Sequence, residues 1–555
     1  VTRALPFVAA ALLAATSLVQ GQPAASRLYR DVTQEAGIDF VHHAAPDKKY
    51  IVESMSGGVA FLDFDNDGLL DLYLTDSLTV DTARDPKAAR SALYRNKGGW
   101  KFEDVTDKAG VGHPGWAMGV CVADVDADDW PDIYVAGYGR NYHFRNNHDG
   151  TFTDVAEKLG LTGGGFSAGC GFADYDRDGD LDLFVSRYVK VDLDRLPRFG
   201  EGMCVYRGIA VQCGPRGLPG ETDFLFRQEQ DGRFTEVSQA AGVHDPRERY
   251  GLGIAWFDQS RDGWPDLYVA NDSGPNYLYL NQKDGTFKEV GLAMGVAVSE
   301  DGGEQGSMGV ALGDYDNCGR QHIYVTNFAE EYNALYHDDG DRFSDVSFRS
   351  RTGASSLPYV KWGTAFFDYD NDGFLDLISV NGHVYPQLDK SRLGAAVAYK
   401  QRKLLYHNRG DGTFEEVGPK YGAEFTEERA SRGLAVGDVD NDGRVDLVVN
   451  DLDGRPQLLR NEIPDPGRWL LVKLRGIGKN RDAIGAVVTV RTGKVSQMRN
   501  VRSGTSYISQ DDMRPHFGLG GSTTVDSLEV LWPDGKTTTL QNVKANQVLE
   551  IRQVP

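Results

Sequence analysis

Residues 61–76 read "FLDFDNDGLLDLYLTD", with four aspartates inside nine positions and an apolar run on either side. Like charges at that density repel in water, so the crowding points to a positive partner among them. A hard cation is the simplest. Ca²⁺ takes oxygen ligands from alternate positions of a loop that a glycine lets turn sharply. Asp63, Asp65, Asp67, the Leu69 carbonyl and Asp71 offer that alternation around Gly68. The pattern D-x-D-x-D-G-x-x-D is the front of an EF-hand loop, but Leu74 stands where an EF-hand carries its bidentate Glu, and "DLYLTD" reads as strand. The expectation is a calcium loop inside a β-hairpin.

The loop recurs seven times: "DFDNDGLLD" from Asp63, "DVDADDWPD" from Asp124, "DYDRDGDLD" from Asp174, "DQSRDGWPD" from Asp258, "DYDNCGRQH" from Asp314, "DYDNDGFLD" from Asp368 and "DVDNDGRVD" from Asp438. Their starts are 61, 50, 84, 56, 54 and 70 residues apart, which describes one constant unit with variable insertions. An apolar strand such as "GTAFFDY" precedes each loop and another such as "DLYVAND" follows; then come runs like "LYRN" and a last strand such as "FTDVA". Four short strands per unit predict an all-β chain folded as a seven-bladed β-propeller over residues 27–462. The last unit stops at 458–461 without its fourth strand, and "YRDVTQEAG" at 29–37 is an orphan copy of one. The N-terminal strand is therefore expected to complete the seventh blade and remove a free edge. "NEIPDPGR" then breaks the pattern, leaving 463–467 as a linker and 468–555 as a small β-sandwich.

Six loops are candidate Ca²⁺ sites, for about five to six ions. The ligands are Asp63, Asp65, Asp67, Leu69 and Asp71; Asp124, Asp126, Asp128, Trp130 and Asp132; Asp174, Asp176, Asp178, Asp180 and Asp182; Asp258, Ser260, Asp262, Trp264 and Asp266; Asp368, Asp370, Asp372, Phe374 and Asp376; and Asp438, Asp440, Asp442, Arg444 and Asp446, the seventh residue of each loop acting through its carbonyl. Asp129 replaces the preferred glycine in the second loop, which costs backbone strain, and Ser260 removes a charge from the fourth. The fifth loop keeps Asp314 and Asp316 but carries Cys318 and His322. It is either a vacated turn or, with those four side chains together, a set suited to Zn²⁺. For any single loop, an acidic β-turn satisfying its own backbone is the alternative; seven matched copies favour the cation.

The formal charge is −22 over 555 residues, and 25 of the aspartates lie at these ligand positions. Lys and Arg are scattered and form no basic stripe, which argues against nucleic acid. Residues 1–21 have the Arg, apolar stretch and small residues of a signal peptide, with cleavage expected near Gly21; a retained anchor is the alternative. No later segment reads as a membrane span. Export suits the five cysteines: Cys204 and Cys213 are expected to bond across a Gly/Pro-rich insertion at 190–222, while Cys121 and Cys170, in apolar runs, read as buried thiols.

These units resemble FG-GAP/VCBS repeats. "GEQGSMGVALGDYD", "VTNFAEEYNALY", "KWGTAFFDYDNDGFLDLISVNGHVY" and "CGPRGLPGE" resemble the bacterial branch of the cartilage acidic protein family, and "WLLVKL", "AIGAVVTV", "SGTSYISQ", "HFGLG" and "LEVLWPDGK" resemble that family's C-terminal ASPIC/UnbV domain. The resemblance implies a secreted or cell-surface protein.

Strand direction places Glu53, Trp116, Asn271, Asp272, Glu304, Asn327, Lys361, Trp362, Asn381 and His383 on the face opposite the loops, an expected polar and aromatic ligand surface. Glu53 and His383, joined by His42 or His43, would be the acid–base pair of an enzyme acting on polysaccharide at the ring axis; the alternative is that they satisfy loop backbone. No nucleophile elbow, phosphate loop or dinucleotide fingerprint occurs. The favoured reading is a calcium-stabilised scaffold that binds or adheres to an extracellular protein or glycan, with the axial enzyme second.

Overall fold

The computed structural model describes residues 28–554 apart from 86, 198, 203, 246 and 391–396. The expected signal segment lies outside the described residues. The chain is all-β, with only one-turn helices between sheets.

Six consecutive antiparallel sheets have four strands each in chain order, beginning with Val59–Leu62, Asp71–Leu74, Ala92–Asn96 and Phe102–Asp104. The first strands of the next five are Trp116–Ala123, Ser167–Ala173, Tyr250–Phe257, Val310–Gly313 and Lys361–Phe367. A seventh sheet has Ser431–Gly437, Asp446–Asp451 and Gln457–Asn461, and its outer strand is Tyr29–Asp31 from the other end of the chain, in register Tyr29 with Asn461. Apolar residues cover both faces of these strands because each sheet packs between two others.

The first strands touch in sequence, and that of the seventh sheet returns to that of the first. One glycine in or immediately before each makes the approach possible. A Cβ on Gly58, Gly119, Gly169, Gly253, Gly309, Gly363 or Gly433 would lie under 3.0 Å from the carbonyl oxygen of Met118, Ala168, Leu252, Met308, Trp362, Arg432 or Gly57 respectively, each in the next sheet or leading into it. Backbone meets backbone there, so no side chain can move aside.

The C-terminal residues form two further sheets. In one, Arg468–Arg475 lies between His516–Gly520 and, in parallel, Gln547–Arg552; the other has the order Val495–Asn500, Val487–Thr492, Thr524–Leu531, Thr537–Lys544. Leu470, Val472, Val488, Val490, Leu528 and Val530 share a core with Cys121, Val125, Phe172 and Leu183 of the second and third repeat sheets, so the tail is fused to the repeats. Its connection at 502–512 runs into the space enclosed by the seven first strands. Gln510 pairs with Val59 and Phe61, Ile508 with Val120, and Ser506 with Val310 through backbone hydrogen bonds of 2.9–3.2 Å. Ser506 Oγ accepts the Thr364 N–H at 2.9 Å, and Asp511 Oδ1 that of Val436 at 2.9 Å. At the tip, Tyr507 is fully buried, donates its hydroxyl to the Met55 carbonyl and packs edge-on against Trp362. The 502–512 connection thus packs among the first strands of the repeat sheets.

Candidate metal centres and the opposite face

All seven acidic loops adopt one geometry. The first carboxylate accepts the N–H of the sixth residue, as in Gly68 to Asp63 (3.2 Å), Gly263 to Asp258 (2.8 Å) and Gly443 to Asp438 (2.8 Å). The fifth accepts that of the seventh, as in Leu69 to Asp67 and Phe374 to Asp372. The fourth residue is left-handed in every copy: Asn66, Ala127, Arg177, Arg261, Asn317, Asn371 and Asn441 have φ of 57–62°. Among residues with a side chain Asn is one of those that tolerate that region best, which explains its frequency there. Asp129 is held at φ 69°, so the second loop carries strain at two non-glycine residues.

The ninth position ties the loop to its sheet. Asp71 Oδ2 accepts the Phe64 N–H at 3.0 Å, while Oδ1 accepts that of Asn96, at the end of the third strand, at 2.7 Å. Asp132, Asp182, Asp266, Asp376 and Asp446 repeat both contacts. The Asn at that strand end clasps the previous sheet: Asn96 donates to the Val439 carbonyl, Asn146 to Phe64, Asn281 to Tyr175, Asn408 to Tyr315 and Asn461 to Tyr369. The "LYRN" runs carried that signal.

The donor set fits a hard cation. Asp63, Asp65 and Asp71, then Asp124, Asp126 and Asp128, then Asp174, Asp176 and Asp182 bring carboxylate oxygens within 4.8 Å of one another. Asp65 Oδ1, Asp174 Oδ1 and Asp440 Oδ1 are buried with no hydrogen-bond partner, and each accepting oxygen keeps a second lone pair. Burial, reinforced in the first two by neighbouring carboxylates, pushes Asp124 to about 8, Asp174 to about 7 and Asp438 to about 7. Cations also reach the loops: Arg95 pairs with Asp65, Lys283 with Asp262, and Lys473 and Lys479 of the tail with Asp63 and Asp180. The tail thus covers part of the loop face, where Asp482 also accepts the Asp124 N–H at 2.7 Å. No sequence signal announced that contact.

A family profile for FG-GAP-like repeats matches residues 63–135, 124–185, 258–325 and 395–449, and one for ASPIC and UnbV matches 476–554. The chain is an FG-GAP-like repeat protein with an ASPIC and UnbV domain. It is homologous to cartilage acidic protein 1, being 29% identical to that of Homo sapiens over 326 residues, 57% of this chain and 46% of the relative. For Mus musculus the values are 28% over 325 residues, 57% and 47%. The chain spans about half the length of the curated relatives it matches. Among solved structures, an Agrocybe aegerita lectin recognising non-reducing terminal N-acetylglucosamine is 15% identical with a TM-score of 0.36, covering 72% of this chain and 87% of that one. Sqt1 of Saccharomyces cerevisiae is 10% identical with a TM-score of 0.39, covering 77% and 100%.

On the opposite side of the FG-GAP-like repeats most of the expected ligand surface is buried: Glu304 is exposed and Asp272 partly so, but Asn327 is buried. Glu53, Trp116, Asn271, Lys361, Trp362, Asn381 and His383 are all 2% exposed or less. Most of their polar atoms serve the fold. Glu53 accepts the Val80 and Ala45 N–H groups, Lys361 donates to the Phe328 and Glu331 carbonyls, Trp362 to Gly382, Asn381 to Arg402 and Asn271 to Pro275. Burial pushes Glu53 up to about 7 and His383 down to about 3. The insertion covers His383: the Tyr206 ring packs tilted against it at a centroid distance of 5.1 Å, and Gln212 donates to the Val384 carbonyl at 2.6 Å. His42 bonds to Ser56 and His43 to Asp76, so the suggested acid–base group is spent on separate partners. Strand direction placed these residues at the right end of the sheets but could not foresee what covers them.

The insertion holds the expected Cys204–Cys213 disulfide. Cys121 and Cys170 are also bonded, which corrects the buried-thiol reading. They lie on first strands of adjacent sheets, whose close packing brings their Cα atoms to 5.8 Å, the spacing a disulfide needs. Cys318 is free and exposed. Among the described residues no helix is long and apolar enough to cross a membrane.

Proposed function

We propose that this protein is an exported, calcium-stabilised scaffold that binds an extracellular or cell-surface protein or glycan. In this reading the seven sheets are the blades of one propeller over 27–462, joined by 463–467 to a β domain at 468–555, and about five to six Ca²⁺ ions sit in all the loops but the fifth. Each ion would be held by the aspartates and seventh-residue carbonyl of its loop and would supply charge neutralisation. Two disulfides support export to the periplasm, the surface or beyond.

The observation that carries binding rather than axial catalysis is the connection packed among the first strands. With Tyr507 at its tip, the 502–512 connection occupies the space where a substrate would enter, Glu53 accepts backbone N–H groups, and His383 is buried beneath Tyr206. What faces outward on that side is the disulfide-closed hairpin of the insertion, where Val205 is 63% exposed. Screening the full chain against glycan and surface-protein arrays, with Ca²⁺ and with chelator, tests the reading. Saturable binding that Cys204→Ser/Cys213→Ser weakens is expected; hydrolysis of a polysaccharide by the purified chain, with no saturable binding, would overturn it.

A further inference from the structure

The fifth loop departs from the other six in a way that builds a different site. Asp316, Cys318, His322 and His337 each bring one ligand-type atom within 4.8 Å of the others. His337 comes from the third strand of that sheet, Ala334–Asp338, at the place where other repeats carry Arg95, Arg145, Arg227, Leu280, His407 or Arg460, so it is the Cys318 and His322 beside it that set this loop apart.

Backbone hydrogen bonds fix where the protons are. His322 Nδ1 accepts the Asp338 N–H at 3.0 Å, the contact that an aspartate oxygen makes in the other loops. Its ring proton is therefore on Nε2, 3.0 Å from Asp316 Oδ1 and 3.5 Å from the Cys318 sulfur. His322 has no lone pair to offer a metal and orients the two residues that do. His337 is the reverse case. Its Nδ1 lies 2.8 Å from the Asp339 carboxylate and its Nε2 3.1 Å from Asp316 Oδ2. A carboxylate holding Nδ1–H leaves Nε2 to ligate, which is how outer-shell carboxylates orient metal-bound histidines.

We propose that Asp316, Cys318 and His337 bind one ion of the Zn²⁺ class, with His322 and Asp339 as positioning residues. A four-coordinate ion about 2.0 Å from N and O and 2.3 Å from S sets ligand edges of about 3.3–3.5 Å, and the Asp316–His337 edge is already within a few tenths of that. One oxygen, one imidazole and one thiolate suit a borderline ion and not Ca²⁺, which takes oxygens. Cys318 is exposed, so the fourth position is open to water. On binding, three metal–ligand bonds form, the thiol proton and any proton on His337 Nε2 pass to solvent, and no electrons move.

The test uses the full chain in saturating Ca²⁺, titrated with Co²⁺. One equivalent should bind with a thiolate-to-cobalt absorption band in the near ultraviolet, and Zn²⁺ should displace it. Cys318→Ser should abolish the band while leaving the bound Ca²⁺ count unchanged, and Asp339→Asn should weaken Zn²⁺ binding by about 10- to 100-fold. The double variant Cys318→Asp/His322→Asp restores the aspartates of the other loops and should exchange the cobalt band for one additional Ca²⁺. Three results would overturn the site: no stoichiometric Co²⁺, a band that survives Cys318→Ser, or equal Zn²⁺ affinity in the wild-type, Cys318→Ser and His337→Gln chains.

Discussion

Replacing Tyr507 by Ala removes the tip of the axial connection. The side chain is fully buried, its ring centroid is 4.9 Å from that of Trp362, and its hydroxyl serves the Met55 carbonyl. Truncating a buried aromatic costs about 3–5 kcal/mol. The orphaned Met55 carbonyl adds about 1–3 kcal/mol. Together they give roughly 4–8 kcal/mol, comparable with the whole stability of an ordinary domain. Tyr507→Phe keeps the ring and should lose only the second part, so the pair separates packing from hydrogen bonding. Urea unfolding, followed by tryptophan fluorescence and by far-UV circular dichroism, is the assay. Because the tail and the repeats share one core, both probes should report a single transition, and both should move together in each variant. A loss under about 1 kcal/mol for Tyr507→Ala, set against that aromatic-truncation range, would refute the inserted connection. So would two transitions of which only one responds.

The close approach of first strands predicts that Gly309→Ala, whose Cβ would meet the Trp362 carbonyl, destabilises by about 1–3 kcal/mol or prevents folding. Gly164→Ala, with nothing within 4 Å, should stay within about 0.5 kcal/mol in the same melt. Non-reducing mass spectrometry should find Cys121–Cys170 and Cys204–Cys213 and one alkylatable thiol, Cys318; alkylation of Cys121 in the native chain would contradict the pairing. Raised carboxyl groups bind protons in the folded state that the unfolded chain has already lost. In excess chelator, stability should therefore fall as pH rises from about 4 through the values of Asp174 and Asp438, about 7, and Asp124, about 8. With Ca²⁺ saturating, protons compete with the ion, so the slope over the same window should reverse; identical slopes with and without Ca²⁺ would count against ion binding.

Repetition made the strands legible. One acidic loop fixes little, but seven copies with matched flanks gave the four-strand unit, and the orphan "YRDVTQEAG" announced the pairing of Tyr29–Asp31 with the last repeat. The glycine that begins each close approach was also visible, in "SGGVAF", "AMGVCV" and "SMGVAL", but its meaning depends on a neighbour that local pattern does not record. The same limit explains the axial connection. "RSGTSYISQDD" is small and polar, as a surface loop would be, because its partners are backbone groups that need hydrogen bonds more than apolar contact. His337 was missed for a related reason: it lies 15 residues beyond His322 and reaches the loop only through strand pairing. The buried state of His383 follows from an insertion whose path no periodicity predicts.

The measurement that bears most directly on the acidic loops is thermal melting of the full chain at pH 7, in millimolar Ca²⁺ and again in excess chelator, with Mg²⁺ added back. Ca²⁺ held in the loops predicts a marked fall in Tm on chelation, recovery with Ca²⁺ at about five to six equivalents, and poor recovery with Mg²⁺, which demands a smaller octahedral site. A Tm unchanged by chelator would contradict it.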